Sequence, residues 1–271
     1  MPYKTTPTVL TIAGSDNYGG AGTQVDAKAI HTLGGYAFTA ITALTAQNSI
    51  GVKDVFATPA QIFKAQLTSI LDDIKVDAVK IGMLANAEII SIISEAIDKY
   101  KLKNIVLDTV LVSSSGKALL EPTSIVTMVK ELFPRVDIIT PNIPEVNALL
   151  GTKYTGKSDE IEAMAKGLFE LGVKAVLIKG GHSSDSQNAT DYLVEQNLKI
   201  LPFTTTRLHT THTHGTGCVL SSAIATHLAK GETLAKSVEF SKTFLYKNLH
   251  TASTIKFKYI EENDTRKEPL L

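Results

Sequence analysis

Three glycine-bearing stretches of this chain could receive a phosphate, and they differ in the company they keep. Residues 151–158 read Gly-Thr-Lys-Tyr-Thr-Gly-Lys-Ser, a letter-for-letter G-x-x-x-x-G-K-S nucleotide-binding loop. Such a loop must leave a strand and enter a helix, so that its N–H groups converge on the phosphates. Here residues 143–150 read as a short helix with Gly151 as its C-cap, and the nearest strand ends before Pro141. The match therefore reads as a surface connection between two helices. The second stretch, Gly19-Gly20-Ala21-Gly22, lacks G-x-G-x-x-G spacing. It reads equally as a tight turn before a helix carrying Val25, Ala29 and Leu33, or as a place where backbone approaches a ligand closely.

The third stretch, Thr213-His214-Gly215-Thr216-Gly217-Cys218, runs into a small-residue helical pattern over 219–229. Two glycines there let successive N–H groups face one concavity at a helix N-terminus, where the peptide dipoles favour negative charge. It is the best candidate for holding a transferred phosphate. Cys218 falls in the first turn, where the same field is expected to lower its thiol pKa. His209, His212 and His214 could suggest a metal, but no Cys/His partner set or adjacent carboxylate accompanies them. They read as strand-edge histidines, with His214 near the site.

Short apolar runs at 8–12, 37–44, 78–81, 105–107, 138–139 and 175–178 read as strands that must position these groups. Helical patterns fall between them. One opens at Thr58, expected to cap, with Pro59 first in the helix and Gln61 completing a capping box. Its Phe63, Leu67, Ile70 and Leu71 share a face. Asn86 caps another, with Ile89, Ile93 and Ile97 in register, and Ser158 opens a third, with Ile161, Ala165 and Leu168 as its stripe. This alternation implies a mostly parallel sheet covered on both faces. Each strand ends in polar or glycine-bearing chemistry: Gly14-Ser15-Asp16, Thr45-Ala46-Gln47-Asn48, Gly82-Met83-Leu84, Asp108-Thr109-Val110, Thr140-Pro141-Asn142-Ile143-Pro144-Glu145, and Lys179-Gly180-Gly181-His182. Ligands of open parallel sheets bind outside the carboxyl ends of the strands. These turns describe a site.

The composition narrows the ligand. Of 271 residues, 44% are hydrophobic, enough for a sizeable core, and Trp is absent. Lys plus Arg equals Asp plus Glu at 27 each, so no net field favours nucleic acid or a membrane surface. A single Cys excludes a disulfide framework. No signal-peptide pattern or membrane-length apolar run is found, and the cytoplasm is expected. With no linker or internal repeat, one domain over 1–271 is expected, with a polar tail from about 260.

Taken together and in order, these segments resemble the hydroxymethylpyrimidine and hydroxymethylpyrimidine-phosphate kinases, of the ribokinase-like superfamily. The resemblance runs from about Thr8 to His250. It implies a three-layer α/β fold and an ATP-dependent kinase that phosphorylates the hydroxymethyl group and then the monophosphate. Gln47 would read the pyrimidine edge, with Asp26, Met83, Gly14 and Gly20 around the same pocket. Asn142 and Glu145 match an N-x-x-E pattern that holds Mg²⁺ against the ATP phosphates, with Asp108 nearby. Lys179 and His214 would lie on the nucleotide side. Gly215, Thr216 and Gly217 would form the anion hole, and Cys218 would stand as the base where sugar kinases of the superfamily place Asp. Thr109 departs from the Pro common in the family, and the stretch 109–116 lacks the second Cys of one class of pyridoxal kinases. The resemblance also suggests a homodimer. Pyridoxal or pyridoxamine phosphorylation, a non-catalytic vitamin-binding regulator, and a P-loop NTPase are the competing readings.

Overall fold

A computed structural model describes residues 6–48, 51–112, 119–182, 187–208 and 214–252. Its strands are β1 (Thr8–Asp16), β2 (Tyr36–Gln47), β3 (Val52–Ala57), β4 (Ala78–Ile81), β5 (Ile105–Leu107), β6 (Ile138–Ile139), β7 (Ala175–Ile178), β8 (Asn188–Glu195) and β9 (Ile200–Thr206). They form one sheet in the order β3-β2-β1-β4-β5-β6-β7-β8-β9. The segment from β2 to β7 is parallel, and β3, β8 and β9 add antiparallel edges. The six parallel strands are those expected from the apolar runs.

The helices are α1 (Gly22–Thr32), α2 (Ala60–Leu71), α3 (Ala87–Tyr100), α4 (Pro122–Glu131), α5 (Ile143–Leu150), α6 (Ile161–Glu170), α7 (Thr216–Ala229) and α8 (Leu234–Ala252). Alternate strand residues serve opposite layers, as the period of two demands. Leu10, Ile12, Val79, Ile81, Ile105 and Leu107 pack with Phe63, Ile89, Ile93 and Leu168 of α2, α3 and α6. Val9, Ala78, Val106 and Leu177 pack with Ile30, Leu220, Ile224 and Val238 of α1, α7 and α8. This is the three-layer α/β arrangement expected. Each core side chain of this size contributes about 1.5–3 kcal/mol on burial.

Local signals explain the helix boundaries. Asn86 Oδ1 accepts the Ile89 N–H at 3.0 Å, and α3 ends at Lys101 in the left-handed region. Asn86→Ala would remove that cap, at about 1 kcal/mol. Two start sites differ from expectation. Thr58 does not cap α2: its N–H is tied to the Thr42 carbonyl, and Pro59 is the N-cap without a side-chain bond. Ser158 opens a short 3-10 turn, and the α-helical part begins at Ile161. Among the described residues no helix is long and apolar enough to cross a membrane. The expected tail from about 260 lies outside the described residues.

Candidate functional site

The carboxyl ends of β1 and β2 meet at Asp16. This buried carboxylate accepts the Tyr18 N–H at 2.8 Å, the Gly20 N–H at 2.9 Å and the Ala21 N–H at 2.7 Å. It also contacts His214 Nε2 at 3.3 Å and the Gln47 side chain. Burial alone would raise its pKa. The contacts from His214, from the Tyr18 and Ala21 amides and from Gln47 together hold it at about 2. The glycine turn is thus wrapped around an internal anion, and its N–H groups are spent on the protein itself. That settles its first role as a turn, while its glycines also bring another loop close. A Cβ on Gly20 would meet His214 Cδ2 at 2.8 Å, and one on Gly215 would overlap the Gly20 carbonyl oxygen. Gly215 has φ of 77°, a left-handed value that favours glycine. The first and last parts of the site are packed against each other by these contacts.

The second half of the site is a charged cluster under the N-terminus of α7. Lys179 Nζ, at the end of β7, lies 2.8 Å from Asp108 Oδ1 and 3.8 Å from Glu145 Oε2. Thr140 Oγ1 donates to Asp108 at 3.0 Å and Thr109 Oγ1 to Glu145 at 3.2 Å. A Cβ on Gly217 would stand 3.1 Å from Asp108 Oδ2 and 3.5 Å from Lys179 Nζ. The absence of a side chain at Gly217 therefore lets backbone lie directly on the acid–lysine pair. Burial would raise Asp108, but the Lys179 and Lys80 ammoniums hold it below the ordinary carboxylate range. Burial pushes Glu145 up to about 7, with Lys179 countering and the Asp108 charge adding to the rise. Burial would likewise discharge Lys179, and Asp108 and Glu145 keep it charged instead.

The N-x-x-E pattern has a structural reading of its own. Asn142 Oδ1 accepts the Glu145 N–H at 2.8 Å, and Glu145 Oε2 accepts the Asn142 N–H at 2.8 Å. This is a reciprocal capping box that starts α5 at the carboxyl end of β6. The cap commits one Asn142 side-chain atom and one Glu145 oxygen. Asn142 Nδ2 and Glu145 Oε1 are the atoms it leaves to a ligand.

Cys218 departs from the sequence expectation. It does sit in the first turn of α7 and retains some solvent contact. Yet burial pushes its thiol up to about 11; Lys80 pulls it back, and Asp26 and Asp108 add to the rise. Desolvation outweighs the Lys80 charge and the Gly22 N–H, the groups that favour the thiolate. Asp26 is also misplaced by the sequence reading. Its side chain is fully buried against Lys80 Nζ at 2.7 and 2.9 Å, Thr11 Oγ1 at 2.6 Å and Ser222 Oγ at 2.8 Å. It therefore lies beneath the site and lines no pocket. Sequence reasoning gave Lys80 no role of its own, because its burial against Asp26 follows from how α1 packs on the sheet.

The residues expected to bound a ring pocket gather beside the first half. Gln47, at the end of β2, is buried, and its N–H donates to Asn17 Oδ1 at 2.9 Å. Met83 Sδ would lie 3.1 Å from a Cβ on Gly14, and the Met83 carbonyl accepts Thr42 Oγ1 at 2.6 Å. Gly14, Gln47 and Met83 thus sit on the ends of β1, β2 and beyond β4. His209, His212, Thr213 and the stretch 113–116 lie outside the described residues.

The G-x-x-x-x-G-K-S match is separate from this assembly. Gly151 ends α5 with φ of 66°, and the segment passes from helix to helix, as expected. The N–H groups of Thr155, Gly156 and Lys157 all donate to Glu160 Oε2, at 2.8–2.9 Å. Its donors already hold a carboxylate of the same chain.

The sequence and fold match those of known proteins. The family model described as Phosphomethylpyrimidine kinase matches residues 16–262. The chain is 41% identical to the hydroxymethylpyrimidine/phosphomethylpyrimidine kinase of Escherichia coli, over 91% of this chain and 92% of that protein. It spans about half the length of the bifunctional thiamine-biosynthetic relatives it also matches. Among solved structures, the phosphomethylpyrimidine kinase of Clostridium difficile gives a TM-score of 0.78 at 39% identity, covering 90% of this chain and 100% of that one. An ADP complex of Bacillus subtilis pyridoxal kinase gives 0.82 at 34% identity, covering 89% and 90%.

Proposed function

The chain belongs to the phosphomethylpyrimidine kinase family, and from that premise we propose that it phosphorylates 4-amino-5-hydroxymethyl-2-methylpyrimidine and then its monophosphate, using ATP, in thiamine biosynthesis. In the first transfer the hydroxymethyl oxygen forms a bond to the γ-phosphorus while the bond to the β-phosphate oxygen breaks and ADP leaves. In the second, a phosphate oxygen of the monophosphate is the nucleophile. The observation that carries this reading is the backbone of Gly217 lying on the Asp108–Lys179 pair at the N-terminus of α7. N–H groups of Gly215, Thr216 and Gly217 there suit the charge that a transferring phosphoryl group spreads over its oxygens.

The remaining roles follow from position. Gln47, Met83, Gly14 and Gly20 bound the ring pocket, and the Gln47 carboxamide offers both a donor and an acceptor to an amino-pyrimidine edge. Asp26 supports this pocket from below and makes no contact with the ring. Lys179, Asn142 and His214 stand on the nucleotide side. Cys218 receives the proton of the hydroxymethyl group, and does so as a thiol that must first ionise. Mg²⁺ suits the donors present: Asp108 and Glu145 supply hard oxygen atoms side by side, with Lys179 as their shared cation. Bound there, Mg²⁺ would neutralise charge on the ATP phosphates. The reading extends to a cytoplasmic enzyme, one kinase domain over 1–271, and a homodimer.

The test is a kinase assay with hydroxymethylpyrimidine, its monophosphate and pyridoxal side by side, with ATP and Mg²⁺. Turnover of both pyrimidines well above that of pyridoxal supports the reading. Turnover of pyridoxal alone would replace it with a vitamin B6 kinase, and binding without turnover with a regulator.

A further inference from the structure

Lys80 is among the largest fully buried side chains of the protein, and the mechanism above gives it nothing to do. It stands in the middle of β4, on the sheet face covered by α1 and α7, among the apolar Val9, Ala78 and Val106. Among the described residues, its acidic partner within bonding reach is Asp26 of α1, at 2.7 and 2.9 Å. Asp26 in turn accepts Thr11 Oγ1 of β1 at 2.6 Å and Ser222 Oγ of α7 at 2.8 Å. One carboxylate therefore joins two central strands to two helices. Space is reserved for the ammonium as well: a Cβ on Gly82 would meet Lys80 Nζ at 2.8 Å.

Stability does not account for such a pair, because apolar replacements of a buried ion pair are often neutral or stabilising. Position does. Ser222 lies one turn after Cys218, on the same face of α7. Residues from Leu220 through Thr226 of α7 are all buried, so apolar packing alone gives this helix no preferred rotation. A directional bond from Ser222 to a fixed carboxylate supplies one. We propose that Lys80 is a positioning residue, which through Asp26 and Ser222 fixes the rotation and depth of α7 and so aims the Gly215–Cys218 turn. The charge of Lys80 also acts on Cys218 and Asp108, so the same node sits electrically as well as mechanically beneath the site.

This inference rests on the reading of Gly215–Cys218 as the anion hole, and its test separates the two. In the full chain, Lys80→Met/Asp26→Leu removes the pair without stranding a charge. Expected are a Tm at or above wild type and hydrogen exchange about tenfold faster over residues 219–226 with the strands unchanged. Expected in the same variant is a kcat lower by about 100-fold with both KM values within about threefold. Should that variant not fold, Ser222→Ala removes only the hydroxyl from α7 and is expected to show the same local exchange with a kcat loss of about tenfold. Unchanged exchange over 219–226, or faster exchange across the whole sheet, would overturn the positioning role. Wild type without pyrimidine turnover would sink the proposed function instead, and the exchange comparison would still decide this one.

Discussion

Asp16 and Glu145 are both buried carboxylates, yet their surroundings drive them apart, to about 2 and about 7. Burial raises both; around Asp16 the donors outweigh it, and around Glu145 they do not. Asp16 is surrounded by N–H groups, a histidine and a carboxamide, whereas Glu145 shares its one nearby cation with Asp108. In this structure the Gln47 side chain bonds Asp16, and in the proposed function it also reads the ring. Gln47→Leu is therefore expected to raise the pyrimidine KM, by the roughly 1–3 kcal/mol of a lost buried hydrogen bond, and to leave the ATP KM alone. Steady-state kinetics with each substrate varied decides this, and a shift confined to ATP would reverse the pocket assignment. Cys218 yields a sharper test. At neutral pH, ionising a thiol of pKa about 11 costs roughly 5 kcal/mol. If its thiolate takes the hydroxymethyl proton, kcat for the first transfer should climb nearly tenfold per pH unit between 7 and 9. A phosphate monoester is already ionised there, so the second transfer should stay flat. Parallel pH–rate profiles for the two steps would remove Cys218 as the base.

At the scale of elements, the proposed anion hole depends on two turns that touch. Gly215→Ala forces a Cβ onto the Gly20 carbonyl in a left-handed conformation, so the N-terminus of α7 must move. The expected loss is about 100-fold in kcat, comparable to removing one oxyanion donor, with circular dichroism unchanged. Retained turnover would place the phosphoryl group elsewhere. Lys157→Ala should do the opposite and change kcat by less than about twofold, since surface changes of this kind cost little. A large loss would revive the nucleotide-binding loop at 151–158. The two stretches show what sequence could and could not disclose. Strand and helix order told them apart, because a phosphate loop must join a strand to a helix. The parallel strands were legible because burial on both faces makes near-continuous apolar runs such as Ile105–Leu107 and Ala175–Ile178. The edges were not: β3 carries Lys53 and Asp54, and β9 carries Pro202 among threonines, so neither reads as a core strand. Nor were the desolvation of Cys218 and the burial of Asp26 legible, since both follow from how α1 and α7 pack on the sheet. A lowered thiol pKa was a sound inference from the helix terminus alone, and tertiary desolvation reversed it.

For the whole molecule, the site's carboxylates should leave a signature in stability against pH. Glu145 is raised in the folded protein from its ordinary 4.5 to about 7. Its native state therefore holds a proton that the unfolded chain has released. The associated stability is complete below about 4.5 and is lost as pH rises through about 7. Asp16 has the opposite sign. Lowered from 3.8 to about 2, it contributes stability above 3.8 that disappears as pH falls through about 2. Ligand-free protein should thus be most stable, as far as these two groups decide, near pH 4–5. Glu145→Gln keeps the size and a hydrogen-bonding oxygen but cannot titrate. Thermal unfolding in steps from pH 4.5 to 7.5 should show wild-type Tm falling relative to the variant, with the two curves closest at the acid end. Adding Mg²⁺ with ATP favours ionised Glu145, so it should flatten the wild-type slope and release protons near neutrality. Curves for wild type and variant that stay parallel over this range would show that Glu145 is ionised throughout, and would withdraw it as the group awaiting a cation. Parallel curves together with an unchanged dependence of activity on Mg²⁺ concentration would remove Glu145 from the site altogether.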